Sequence, residues 1–270
     1  MFQRGLIFGM TVWLALAGIS GLALAQKGKT APKKGITIAP APKDQFHPTF
    51  NMGAGSVGSY FYPQSVGTYW KMKIVQKYFR ADNSVISSDS IYSLERVVSN
   101  SLKSDQGLPF ISCETQSWRG DDTLHAEKDR DSYYVDDSLI MAIFNNSLWS
   151  NQNKVLLVSP LKLGAHWLEQ TGDSVRCEIV SMHDTVTTPY SGFGNALVTV
   201  SRAGLIELDK YFVPNVGLVK TIMRRPGSRD GEAVVVTSEL IDWHLGTDAN
   251  LPVDGGLQNL VPGTVPGQVH

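Results

Sequence analysis

Tyr211-Phe-Val-Pro-Asn-Val-Gly-Leu-Val-Lys220 is the stretch that decides the fold class. It follows a second phrase, Gly192-Phe-Gly-Asn-Ala-Leu-Val198, across a turn near Arg202-Ala203-Gly204. Between Asn195 and Ser201 the side chains alternate, with Ala196, Val198 and Val200 against Leu197, Thr199 and Ser201. A period of two is the mark of a strand. Pro214 has no N–H to give to a ladder, so it belongs at a strand start, bulge or edge. Gly217 marks a bend, after which Val219, Thr221 and Met223 oppose Leu218, Lys220 and Ile222. The two phrases read as late strands of one antiparallel sheet.

Working outward, the same grammar recurs. Trp70, Met72, Ile74 and Tyr78 alternate with Lys71, Lys73 and Lys77, which predicts a half-buried strand with one wet face. Tyr92, Leu94 and Val98 alternate with Ser93 and Glu95 in its expected partner. Further strands are predicted over 110–118, 154–158, 166–171, 174–183, 194–201, 205–212, 217–224 and 233–243, and Leu139 to Phe144 reads equally as strand or helix. Pro63, Gly67 and Trp70 share the spacing P-x3-G-x2-W with Pro160, Gly164 and Trp167, a turn-into-strand device used twice. No amphipathic helix is legible. The expected fold is all-β, an antiparallel meander forming a large curved sheet or incomplete barrel.

The ends are of another kind. Arg4, an apolar run from Leu6 to Leu24 and the Ala23-Leu24-Ala25 site predict a signal peptide over 1–25, and no later stretch is expected to span a membrane. Residues 26–59 mix lysine with Pro32, Pro40, Pro42 and Pro48 and read as a disordered linker. The β domain is expected over 60–245, with a Gly- and Pro-rich disordered tail over 246–270. Without Arg4 the chain carries 23 basic and 25 acidic residues, a net charge of −2, which is not a nucleic-acid footprint. Export favours an oxidising compartment, periplasmic or extracellular, so a disulfide between Cys113 and Cys177 is expected.

Chemistry is harder to find. None of the six histidines has a partner at metal-ligand spacing. The acid-rich stretch 119–137 lacks the alternation, glycine and closing glutamate of a calcium loop. His183 and Asp184 have no G-x-S-x-G elbow to serve, and no glycine-rich phosphate loop opens a helix. The expectation is a non-enzyme with no cofactor, metal or catalytic residue. The face made by Trp70, Met72, Ile74 and Tyr78 is the candidate surface for a lipid or other apolar ligand.

Tyr62-Pro63, Gly67 and Trp70 form a YP-x-x-x-G-x-x-W opening; Thr188-Pro189, Gly192-Phe193 and Asn195 form a TP-x-x-GF phrase; Tyr211 and Val216-Gly-Leu-Val-Lys220 close the pattern. In this order, over about residues 60–222, the chain resembles a loose group of bacterial exported β-rich proteins of unknown function. Asn215 stands where that group usually has glycine or alanine, and Gly194 where it has no fixed glycine. The resemblance implies export and a β fold and carries over no catalytic residue. Together these readings predict an exported envelope protein that binds an apolar ligand or envelope component on a curved sheet. The alternative is a structural or protein-interaction module of the envelope; a hydrolase ranks last.

Overall fold

A computed structural model describes residues 57–246, apart from 62–64, 105–106, 124–125, 145–147, 149, 171–174 and 230. The predicted signal peptide, most of the Lys- and Pro-rich segment and the tail beyond 246 lie outside the described residues. Twelve strands follow a one-turn 3-10 helix, Val57–Phe61. They are β1 (Tyr69–Phe79), β2 (Val85–Lys103), β3 (Pro109–Trp118), β4 (Glu127–Val135), β5 (Leu139–Ile143), β6 (Lys154–Val158), β7 (His166–Leu168), β8 (Arg176–Thr187), β9 (Gly192–Ala203), β10 (Ile206–Val213), β11 (Gly217–Pro226) and β12 (Ala233–His244). No α-helix occurs among the described residues.

All twelve form one antiparallel sheet in the order β6-β5-β4-β3-β2-β1-β12-β11-β10-β9-β8-β7. Each strand therefore pairs with its neighbours in sequence except β6 with β7, and β1 with β12 closes one joint between the two halves of the chain. The two sheet edges, β6 and β7, come together at the other. There the Val155 N–H donates to the Glu169 carbonyl at 2.7 Å, and the Trp167 indole to the Val155 carbonyl at 3.1 Å. The result is the incomplete barrel, a nearly closed ring with one joint that carries no ladder.

Strand β1 shows why the sequence folds this way. Trp70, Met72 and Ile74 are buried on the inner face, and Lys71, Lys73 and Lys77 point outward. Burying side chains such as Met72 and Ile74 contributes roughly 1.5–3 kcal/mol each. Opposite Lys71 and Met72 a bulge, with Ile241 as the extra residue, bends the partner strand β12. Strand β8 carries three register shifts between Ile179 and Val186, so its hairpin with β9 curls inward. The Tyr190 N–H, in the turn after β8, thereby reaches the Leu240 carbonyl on β12 at 3.1 Å.

The 3-10 turn is buried across the lower end of the ring. The Val57 N–H donates to the Asp137 carbonyl beside β5, and the Ser59 carbonyl accepts the Asn215 N–H before β11. Strands β5 and β11 are six places apart in the ring of twelve, so the turn spans it. Val57, Ser59 and Tyr60 are buried, although the sequence placed residues up to 59 in a linker. Gly217, at φ 97°, lies against the Tyr60 carbonyl and the Trp70 ring, and the Trp70 indole donates to the Val216 carbonyl. Tyr60, Trp70 and the Val216-Gly217 pair, from both halves of the chain, thus meet at one plug.

One sequence expectation is overturned. Cys113 and Cys177 are both buried, with no bridge between them. They sit on β3 and β8, five places apart around the ring by the shorter way. Each points inward and has its own polar neighbour: Cys113 bonds Glu95, and Cys177 lies 3.1 Å from Ser201 Oγ.

Candidate binding mouth and barrel interior

The four residues of the expected apolar face do not play one role. Trp70 (6 % exposed) and Met72 pack in the main core with Val97, Ile111, Leu197, Phe212 and Leu240. Ile74 belongs to a second cluster, with Leu208, Met223, Val234 and Val236. Tyr78 is only half-buried, and lines the upper edge of that cluster beside Ile91 and Ile206. Register explains the grouping: Tyr78 faces Val234, while Val236, Met223 and Leu208 follow one another across β12, β11 and β10. The turns after β1, β9 and β11 surround this upper mouth. On them or beside them Leu205 is 82 % exposed, and Val85 and Ile86 are also exposed. Apolar surface therefore runs from a buried floor to an open rim. Charges near the rim are paired on the outer wall, where Arg224 meets Asp209 at 2.7 Å and Arg202 meets Glu207 at 3.2 Å.

Below that floor the interior turns polar. Ser238, Thr221, Lys210 and Thr199 are successive register partners across β12, β11, β10 and β9, and all are buried. Lys210 Nζ is 3.1 Å from Glu169 Oε1, the side chains being 5 % and 2 % exposed. An ammonium this deep requires a charged partner, because desolvation otherwise makes the ion far too costly.

The opposite wall holds acids that have no such partner among the described residues. Glu95 is the register partner of both Trp70 and Thr115, and so faces inward. It accepts a hydrogen bond from the Tyr133 hydroxyl at 2.9 Å. Thr115 Oγ1 donates to Asp131 Oδ2 at 3.4 Å. Burial, with the Asp131 charge adding to it, pushes the Glu95 carboxyl up to about 7. Burial and then Asp129 push Asp131 up to about 6. Burial likewise raises the Cys113 thiol and the Tyr133 phenol.

A carboxyl poised near neutrality suits proton transfer, but the described histidines, His166, His183 and His244, are all exposed. No group of three or more His, Cys, Asp or Glu side chains among the described residues is placed to hold a metal ion. Asp129 and Asp131 fall in the acid-rich stretch that the sequence marks; Glu95 carries no such signal.

The sequence suggested Tyr92 and Leu94 as the apolar side of β2. They are on the outer wall instead. Leu94 is buried there beneath a small outer layer, in which Tyr92 stacks on Trp118 at 6.0 Å and Lys71 Nζ sits 5.6 Å from the Trp118 ring centroid. Such cation–π contacts contribute about 0.5–1 kcal/mol at exposed sites.

No known protein family and no curated protein matches the chain. Among solved structures it is similar to a candidate exported protein with a YmcC-like fold from Bacteroides fragilis, at 11% identity and a TM-score of 0.38, over 68% of this chain and 98% of that one. It is also similar to a candidate lipoprotein from Parabacteroides distasonis, at 14% identity and a TM-score of 0.39, with the same coverage.

Proposed function

We propose that this chain is a non-catalytic exported protein of the bacterial envelope that binds an apolar ligand, such as a lipid chain, at the upper mouth. The observation that carries the reading is the apolar path from Leu208, Met223, Val234 and Val236, through half-buried Tyr78, Ile91 and Ile206, to exposed Leu205. A pocket with an apolar floor and an open rim is the usual form of such a site. Of the four residues read from sequence, Tyr78 contacts the ligand in this reading; Trp70, Met72 and Ile74 are core and hold the wall. The signal peptide predicted from the sequence supports export.

Titration of the detergent-free mature protein with a long-chain fatty acid tests the reading. Saturable binding that Leu205→Asp and Tyr78→Asp each weaken at least tenfold supports it. Binding that does not saturate, or that ignores both substitutions, sinks it.

A second reading, a protein-interaction module, draws on exposed Leu168, the last residue of the short β7, and exposed Leu163 just before that strand. Capture of a defined envelope partner, lost on Leu163→Asp and Leu168→Asp, would favour it over the mouth.

A further inference from the structure

We infer that the buried Glu169–Lys210 pair is a latch on the β6–β7 joint, and that this joint is where the barrel opens. Glu169 stands just past the end of β7 and serves three elements at once. Its carbonyl accepts the Val155 N–H of β6 at 2.7 Å, and its own N–H donates to the Val175 carbonyl before β8 at 3.1 Å. Its carboxylate meets Lys210 Nζ at 3.1 Å. Strand β10 is three places from β7 in the sheet. The pair therefore crosses the interior as a chord and ties the loose joint to a wall held by ladders on both sides.

Two further bonds across the joint come from the same short segment. Trp167 Nε1 donates to the Val155 carbonyl, and Gln170 Nε2 donates to the Asn151 carbonyl at 2.6 Å. Every other pair of neighbouring strands shares a register, whereas β6 and β7 share none.

An ion pair fits a joint that moves. Apolar residues of similar size would commonly hold a static wall as well or better, because a buried pair must offset the loss of hydration of both ions. When the joint parts, however, both ions regain water, whereas apolar side chains would lose their burial. The pair thus favours one closed arrangement, since removing either partner strands a buried charge, and it keeps the open state accessible. Opening exposes the interior beside β7, where Cys177 is the register partner of Trp167. Cys113, across the ring on β3, provides a control thiol.

Native-state alkylation of the two thiols, read by peptide mass spectrometry, tests the latch. In the unaltered protein Cys177 is expected to label faster than Cys113. Lys210→Met and Glu169→Gln should each raise the Cys177 rate at least tenfold and leave Cys113 unchanged. The double substitution Glu169→Leu/Lys210→Met strands no charge and gains nothing on opening, so its Cys177 should label more slowly than in the unaltered protein. Equal acceleration of both thiols in the single variants would indicate general unfolding and overturn the latch. If neither single variant folds, the double variant decides: a Cys177 rate at or above the unaltered one overturns it.

Discussion

The barrel has two joints between its six-stranded halves, and they begin alike and end differently. Strands β1 and β7 are both entered through a glycine at positive φ, Gly67 at 88° and Gly164 at 77°. Each glycine N–H donates into the following strand, to Val97 at 2.9 Å and to Ile179 at 2.8 Å. Each of those residues donates back, to the Thr68 and Ala165 carbonyls, and each turn is closed by a 3.0 Å bond, Thr68 to Ser65 and Ala165 to Lys162. A tryptophan three residues past each glycine then gives its indole to a backbone carbonyl, at Val216 and at Val155. After that the halves diverge. Strand β1 runs eleven residues and all of them have partners on β12. Strand β7 stops after three and shares no register with β6. A local turn motif can aim a strand into a wall, but closure depends on the length of edge that follows.

The largest expected contrast is between the two tryptophans. Trp70 is fully buried in the plug, so Trp70→Ala should destabilise by roughly 3–5 kcal/mol. Trp167 is half-buried at the loose joint, and its loss should cost about half as much. Equal shifts in urea midpoint would break the comparison.

The next contrast is electrostatic. The first half holds half-buried, inward Glu95 and Asp131 with no cation paired to them among the described residues, whereas the second pairs fully buried Lys210 with Glu169. Glu95 sits at about 7 when folded, against an ordinary 4.5. Below the lower value it is protonated in both states and costs nothing. Above the higher value it is ionised in both, and the folded state bears the buried charge. Stability should therefore fall by roughly 2–3 kcal/mol as pH rises from about 4.5 to 7, and Glu95→Gln should flatten that part of the profile. A Glu95→Gln profile that keeps the full slope would assign it to other groups, Asp131 first.

Glycine substitutions sharpen the comparison on a smaller scale. Gly217→Ala meets an unfavourable φ and the Tyr60 carbonyl and Trp70 ring, and should cost roughly 1–3 kcal/mol. A Cβ on Gly164 meets open space, so only the backbone term remains, about 1 kcal/mol. Thermal melts that rank Gly164→Ala above Gly217→Ala would place the strain in the wrong joint. The smallest effect concerns the thiols. Reductant should leave the melting temperature unchanged, and denatured, unreduced protein should take up two alkyl groups. A mass two hydrogens lighter, with no uptake, would restore the bridge.

Much of the wall was legible in the sequence because its strands have one wet face. The lysines of β1 and the apolar residues between them reported the inside directly. Elsewhere a second covered face hid the answer. Ala196 to Ser201 alternate as a strand should, yet all six are buried. Leu94 is buried on the outer wall under Trp118, which left inward Glu95 looking like a solvent residue. Asn215, where the resembled group has glycine or alanine, sits at φ 63°, a conformation asparagine tolerates better than most side chains. The cysteines could be placed in the core by phase, but not on opposite walls, because ring position depends on every strand between them. Glu169 and Lys210 are 41 residues apart, with no periodic signal joining them. The mouth was partly readable, since Tyr78 continued the β1 face, while Leu205 and Ile206 joined it only through the order of β10, β11, β12 and β1.

Residue-resolved native-state hydrogen exchange on the unaltered protein addresses the inequality of the joints most directly. The Val155 amide should exchange through a local opening that low denaturant barely changes, and amides in the β12–β1 ladder should exchange only through global unfolding. A single shared free energy and denaturant dependence at both joints would show a uniformly closed barrel and contradict the inequality.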